Sequence, residues 1–383
     1  MLRFDFHSPT RIVFGLGKLD ALGALARELG AKRVLVVSDP GIVAAGHAPR
    51  GAKSLEDAGL NVALFDGVAE NPTTAHVETG VAFAKQFRPD LIVGLGGGSS
   101  MDCAKGINFL YSCGGRMQDY WGEGKATGPL LPMIAVPTTA GTGSETQSYA
   151  LISDAQTHVK MACGDKRAAF RVAILDPELT VTQPPRVTAL TGIDAISHAI
   201  ETYVTKRRHA MSLPFSREAW RHLAANYRRV LAEPRELTAR AEMQLGACLA
   251  GLAIENSMLG AAHALANPLT ARFGLAHGEA IALMLPHVIR HNGAHVNDWY
   301  DELLQCFDPT LGPGSTSSAA ERLADWVAEV SRQAGLAAKL QECGVSREAL
   351  PLLATAATKQ WTGTFNPVEL TESDFERLYE SAF

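Results

Sequence analysis

Asp194 and His198 stand four residues apart in Gly192-Ile193-Asp194-Ala195-Ile196-Ser197-His198-Ala199-Ile200-Glu201, a segment of helical pattern. Side chains at that spacing leave one helix face a turn apart, close enough to grip a common ion. Two more imidazoles follow: His263 in the apolar stretch Leu259 to Ala266, and His277 at what reads as a helix start flanked by Gly274 and Gly278. Singly, each histidine reads as a satisfied interior residue. Together, Asp194, His198, His263 and His277 make a four-ligand set that leaves coordination positions for a substrate. One carboxylate and three imidazoles suit Fe2+ and Zn2+ alike. His287 and His291 flank a further predicted helix and are read as supporting or surface residues, not ligands. There is no GxSxG motif and no cysteine placed as a nucleophile. The chemistry expected is therefore activation of an oxygen by a Lewis-acidic metal.

A second group of residues could hold a phosphate. Gly94-Leu95-Gly96-Gly97-Gly98-Ser99-Ser100 joins a predicted strand directly to a predicted helix. Backbone N–H groups there can face an anion, and successive glycines let a pyrophosphate reach the main chain. Gly15-Leu16-Gly17 competes for the same role with a weaker pattern. Asp39, about twenty residues further on at the end of a strand, stands where dinucleotide folds place an acid on the adenosine ribose. A carboxylate there repels a 2′-phosphate, which favours NAD over NADP. The same residue also reads as a helix cap before Pro40-Gly41. Pro137-Thr138-Thr139-Ala140-Gly141-Thr142-Gly143-Ser144-Glu145 follows another buried strand and offers small hydroxyl residues to phosphate and ribose.

These groups need a scaffold, and the periodicity supplies one. Short β-branched runs (Arg33–Ser38, Asn61–Phe65, Leu91–Gly94, Met133–Val136) alternate with helical segments at Lys18–Leu29, Ile42–Ala58, Thr73–Phe87 and Ser99–Tyr111. That alternation predicts a Rossmann-like parallel sheet covered by helices on both faces. A looser β pair, Tyr149–Ser153 and His158–Ala162, flanks a turn at Asp154-Ala155-Gln156. From Val187 onward the pattern is helical throughout. The expected organisation is an α/β nucleotide domain over residues 1–180 and an all-helical metal domain over 181–383, with the cleft between them as the expected site. Gly312 to Ser318 reads as a surface loop, and Lys206-Arg207-Arg208 as a solvated helix end.

Composition excludes several partners. The 383 residues are 46% hydrophobic with a formal net charge of −5, and no basic run interleaves with aromatics, which argues against nucleic acid. No stretch is long and apolar enough for a membrane span, and the N-terminus lacks the pattern of a signal peptide. The six cysteines are scattered without a CxxC pair, as expected of reduced thiols in a soluble cytoplasmic protein.

At this point the motifs resemble the iron-containing (group III) alcohol dehydrogenase family. Gly96-Gly97-Gly98-Ser99 with Asp102, Ala104 and Lys105 is similar to its GGGSxxDxAK, and Pro137 to Glu145 to its PTTxGTGSE. Asp176-Pro177, the Asp194–Glu201 segment, His263-Ala264 with Pro268, His277-Gly278 and Leu285-Pro286-His287 follow in the family's order, with a weaker echo at Asn366-Pro367. The resemblance implies a dehydroquinate synthase-like architecture, NAD as cofactor, and Fe2+ (or Zn2+) on Asp194, His198, His263 and His277. It implies hydride transfer between a metal-bound primary or secondary alcohol, or the corresponding aldehyde, and C4 of the nicotinamide. Cofactor contacts are implied for Asp39, Asn71, Gly96, Gly97, Gly98, Ser99, Asp102, Thr138, Thr139, Thr142 and Lys160. A homodimer is compatible with it. A lyase of the dehydroquinate synthase kind would need Lys or Arg around the ligands, where this chain has Ala, Leu, Ile and Asn. Tyr149, Ile254 and Trp361 fall where family members differ. Many members carry a histidine four residues after the His263 equivalent, and this chain carries Asn267. Asn267 is read either as an amide that orients substrate or water in the catalytic site, or as a helix cap before Pro268.

Overall fold

The computed structural model describes residues 4–307 and 317–383, so most of the predicted loop at Gly312–Ser318 lies outside the described residues. Two compact units emerge: Ser8–Gln183, and Pro184–Phe383 together with residues 4–7.

The first unit is built on hydrophobic strands joined by helices. In chain order they are β1 (Arg11–Phe14), α1 (Leu22–Glu28), β2 (Arg33–Val37), α2 (Pro40–Ala44), α3 (His47–Asp57), β3 (Asn61–Phe65), α4 (Thr74–Phe87), β4 (Leu91–Gly96), α5 (Gly98–Cys113), β5 (Gly122–Glu123), β6 (Met133–Pro137), β7 (Tyr149–Ser153), β8 (Lys160–Gly164) and β9 (Val172–Leu175). Six strands form one parallel sheet in the order β1-β9-β6-β4-β2-β3. Alternate residues of each strand enter opposite cores, as the two-residue repeat requires. Val34, Val36, Val93, Leu95 and Ile134 pack with Leu22, Leu25 and Leu55 of α1 and α3. Leu35, Val37, Ile92 and Ala135 pack with Val77, Val81, Met101 and Ile107 of α4 and α5. Helices thus cover both faces. A second, three-stranded sheet has the order β5-β8-β7.

Local readings needed two adjustments here. The single helix expected over Ile42–Ala58 is two, α2 and α3, separated at Ala45 and Gly46. The strand expected at His158–Ala162 is shifted to Lys160–Gly164, because Asp154 Oδ1 accepts the Gln156 and Thr157 N–H groups and extends the turn.

The second unit is helical: α6 (Pro185–Val204), α7 (Leu213–Ala232), α8 (Leu237–Asn256), α9 (Ala261–Phe273), α10 (His277–Phe307, kinked at Val296), α11 (Ala319–Gln333), α12 (Leu350–Ala357) and α13 (Glu372–Ser381). Helix α6 is buried along nearly its whole second half, its polar face included. Phe4 stacks on His209 with ring centroids 4.5 Å apart, and the His7 N–H donates to Asn256 Oδ1, so the first described residues belong to this unit. In the basic cluster Lys206 and Arg207 are exposed as expected, and Arg208 departs. Arg208 is half-buried with its guanidinium over Trp299 and Tyr203, at 3.9 and 4.8 Å, because α10 brings an aromatic surface against the end of α6. Among the described residues no single helix is long and apolar enough to cross a membrane; α8 and α9 would suffice together but are bent by 103° and largely buried.

One close approach sets the register of α6 against α10. A Cβ on Gly278 would overlap the Leu190 carbonyl, one turn before Asp194. Gly278→Ala should therefore destabilise the protein by about 2 kcal/mol, the usual cost of forcing a methyl into a filled core. Chemical denaturation checks this, and an unchanged midpoint would show that the helices separate freely.

Candidate functional site

The helical spacing read in α6 places Asp194, His198 and Glu201 at positions i, i+4 and i+7, one face of one helix. All three are buried, at 6%, 4% and 4% exposure. His263 enters from the first turn of α9 and His277 from the first residue of α10. Asp194 Oδ1 lies 3.4 Å from His198 Nε2, 3.6 Å from His263 Nε2 and 3.7 Å from His277 Nε2. Ligand atoms of Asp194, His263 and His277 all lie within 4.8 Å of one another, and the His198 ring stacks on that of His263 at 5.0 Å. The structure thus brings together all four residues read as ligands.

Two features show that this cluster fits a metal. Asp194 Oδ1 and His263 Nε2 are buried with no hydrogen-bond partner, a costly condition for a carboxylate oxygen unless a cation satisfies it. Donor atoms about 2.1 Å from a common ion at tetrahedral angles stand about 3.4 Å apart, close to the spacings around Asp194. The electrostatics agree. Burial works against charge on Asp194, yet the imidazoles of His198, His263 and His277 hold its carboxyl well below the usual range. Burial also opposes protonation of His263, but Glu201 and Asp194 outweigh it and push the ring up to about 9. A ring between two carboxylates favours positive charge, which a divalent ion supplies.

Glu201 is the residue to which sequence reasoning gave no role. Its Oε2 accepts from His263 Nδ1 at 2.5 Å and its Oε1 accepts from the Ala262 N–H at 2.7 Å. That bond commits the Nδ1 proton and leaves Nε2 as the lone-pair donor facing Asp194, the arrangement by which carboxylates orient metal-binding histidines. Its place one turn beyond His198 was the available signal.

Asn267 does not end a helix. Helix α9 runs through Pro268 to Phe273, so the capping alternative falls. Its Nδ2 donates instead to Gln360 Oε1 at 3.0 Å. His287 lies on α10, its ring pushed down to about 4 by burial and Arg290.

In the first unit the two glycine turns have different fates. The amides of Gly17 and Leu19 donate to the Asp176 carboxylate at 3.1 and 3.0 Å, so a side chain fills that anion position. The turn from β4 into α5 carries no such internal carboxylate on its glycines. Gly96 has φ of +154°, and a Cβ there would strike Ser100; a Cβ on Gly98 would lie 2.7 Å from Thr142 Cγ2. Only glycines leave this cradle open, with the N-terminus of α5 behind it. Gly97 lies against Thr139, and Thr138 Oγ1 is buried without a hydrogen-bond partner. Asp39 Oδ1 caps α2 through the Ile42 N–H, as one of its two readings expected, while Oδ2 accepts from Ser100 Oγ at 3.2 Å beside the cradle.

Asp102 belongs to a buried network. Its Oδ1 accepts from Ser144 Oγ at 2.7 Å, and the fully buried Lys105 donates to Ser144 O, Ser144 Oγ and Tyr149 O, each at 2.8 Å. This ties α5 to the loop after β6. Burial pushes the neighbouring Glu145 carboxyl up to about 7. Asn71 has φ of +52°, next to Pro72, whose carbonyl accepts from Ser153 N; Ser153 pairs with Lys160 in the small sheet.

Comparison with known proteins follows the same division. The profile described as iron-containing alcohol dehydrogenase matches residues 9–177, and that described as Fe-containing alcohol dehydrogenase family, C-terminal, matches residues 188–383. The chain is 34% identical over 382 residues to a 1,3-propanediol dehydrogenase of Klebsiella pneumoniae, covering 99% of each. It is 33% identical over 378 residues to an NAD-dependent methanol dehydrogenase of Bacillus methanolicus, again covering 99% of each. A solved 1,3-propanediol oxidoreductase superposes over the full length of both chains with a TM-score of 0.96 at 33% identity.

The role of Glu201 is testable without turnover. In Glu201→Gln one oxygen must serve two donors, the His263 Nδ1–H and the Ala262 N–H, and the negative charge behind His263 is gone. Affinity for Zn2+ in chelator competition should therefore fall about 10- to 100-fold, the usual effect of losing such a partner. Unchanged affinity would assign Glu201 to capping α9 alone.

Proposed function

The chain belongs to the iron-containing alcohol dehydrogenase family, and on that footing we propose how its own residues carry out the reaction. It is a metal-dependent, NAD-linked alcohol dehydrogenase, an oxidoreductase acting on a CH–OH group. Its metal is Fe2+, with Zn2+ as the alternative, held by Asp194, His198, His263 and His277. The observation that carries this is the buried Asp194 oxygen, without a hydrogen bond and facing three imidazole nitrogens. Its substrates are small primary or secondary alcohols and, in reverse, aldehydes. A reducing, cytoplasmic setting fits the six scattered cysteines, which include no CxxC pair.

When bound, the ion supplies Lewis acidity toward an alcohol or carbonyl oxygen and the nicotinamide supplies the hydride acceptor. The protein's part is to bind and orient. The open backbone of Gly96, Gly97, Gly98 and Ser99 holds the pyrophosphate, with Thr138, Thr139 and Thr142 lining the opposite wall. Asp39 accepts from the adenosine ribose; Asn71 and Lys160 are the further cofactor contacts, and Asp102 acts through Ser144. Asn267, held by Gln360, orients substrate or water; an amide cannot take up the alcohol's proton at working pH.

Protein reconstituted separately with Fe2+ and Zn2+ should reduce NAD+ with a panel of small alcohols and oxidise NADH with the matching aldehydes. Metal-free protein should do neither. The absence of turnover with every alcohol in both metal forms would overturn the reading.

The cofactor preference is tested by Asp39→Gly. Glycine costs only a few tenths of a kcal/mol as a cap, so α2 should stay in place when the carboxylate and its bond to Ser100 are removed. The ratio of kcat/KM for NAD+ over NADP+ should fall about tenfold or more once the carboxylate no longer repels the 2′-phosphate. An unchanged ratio would assign Asp39 to capping α2.

A further inference from the structure

Helix α9 begins without the side-chain cap that a helix start normally needs. Its N-cap residue is Gly260, which offers no side-chain oxygen, yet the first N–H groups of a helix have no partner within it. Here the missing acceptors come from far along the chain. The Ala261 N–H donates to Asn366 Oδ1 at 3.4 Å, and the Ala262 N–H to Glu201 Oε1 at 2.7 Å. The third residue of the helix is His263, whose Nδ1 donates to the same Glu201 carboxylate. A Cβ on Gly260 would lie 3.0 Å from Glu201 Oε1 and 3.2 Å from Asn366 Oδ1, so the capping groups occupy the space a larger residue would need.

Asn366 is itself held from several sides. It exchanges two hydrogen bonds with Asn292 of α10: Asn292 Nδ2 donates to Asn366 Oδ1 at 3.0 Å, and Asn366 Nδ2 donates to Asn292 Oδ1 at 2.8 Å. The same Nδ2 donates to Val368 O at 2.9 Å. Both asparagines are 1% exposed. The preceding carbonyl, Phe365 O, accepts from the Lys206 N–H at 2.8 Å and from Thr205 Oγ1 at 3.1 Å, just past the end of α6. A three-residue turn therefore touches α9 and α10 and the exit of α6, the helices that carry His263, His277, and Asp194 with His198.

We infer that the Phe365-Asn366-Pro367 turn positions the metal centre, with Asn366 and Asn292 acting as positioning residues that set the first turn of α9 and hence the aim of His263. The inference rests on the proposed metal site. Asn366 does not touch the ion; it fixes the helix start whose third residue does. Removing its amide leaves the Ala261 N–H buried without a partner and strips the Asn292 amide of two hydrogen bonds, and the nearest relief is a shift of the α9 start.

The test uses the full-length protein and reads the metal itself. Zn2+ affinity is measured by chelator competition, and the visible spectrum is recorded after Co2+ substitution, which reports ligand geometry. Asn366→Ala should bind Zn2+ about tenfold more weakly and show an altered Co2+ spectrum. Asn366→Ser, which keeps an oxygen for the Ala261 N–H, should fall between it and the wild type, and serves if the alanine variant does not fold. Leu323→Ala, a core truncation in α11, is the control for lost stability alone and should leave both readouts within twofold of wild type. If Asn366→Ala and Asn366→Ser match the wild type, or match Leu323→Ala, the inference is wrong while the metal site stands. If the wild type binds neither ion, the metal assignment itself falls.

Discussion

A carboxylate taken out of water loses several kcal/mol of solvation unless neighbouring charge and hydrogen bonds replace it. Asp194 is in that position in the middle of α6, and much of the second unit is arranged around its oxygen. Three imidazole nitrogens converge on it, each from a different helix position, and on the proposed metal site each must present its lone pair to the ion. That demand propagates outward. Glu201 commits the proton of His263 to the far side of the ring, and Gly278 lets α10 press on Leu190 so that His277 can reach. Gly260 leaves room for Glu201 and Asn366 at the start of α9. Small residues in these helices are the steric counterpart of a buried charge.

The first unit solves the converse problem, holding an anion with backbone amides. Two of its turns could do so. In one, Asp176 supplies the anion from within the chain and locks β9 to the turn after β1. In the other, after β4, the glycines stay open, and Thr138 Oγ1 is left without a partner. The buried Lys105 stabilises this second turn from behind by gathering Ser144 and Tyr149 onto α5. Rigid support on one side and open amides on the other is how a cradle is preorganised for a pyrophosphate.

Amide side chains recur wherever this protein needs direction without charge. Asn292 and Asn366 present a donor and an acceptor to each other in a fixed orientation. At the next turn of α9 the Asn267 amide donates a single bond to Gln360. An amide neither gains nor loses a proton in the working range, so these positions keep their geometry when the neighbouring imidazoles and carboxylates exchange protons or metal.

Much of this was legible in the sequence because the relevant physics is local. The four-residue step from Asp194 to His198, the alternation of Val34, Leu35, Val36 and Val37, and the glycines between β4 and α5 are decided by helix and strand geometry within a few residues. So was the choice between metal chemistry and nucleophilic catalysis, which followed from residue types alone. The rest depended on partners distant along the chain. That Gly15-Leu16-Gly17 is closed by Asp176, that Arg208 lies on Trp299 instead of in water, that α9 continues through Pro268, and that Glu201 aims His263 are contacts no periodicity announces. Local spacing determined which side chains share a face; only tertiary packing decided which buried donor meets which acceptor, because the cost of leaving either unpaired is settled after the helices have met.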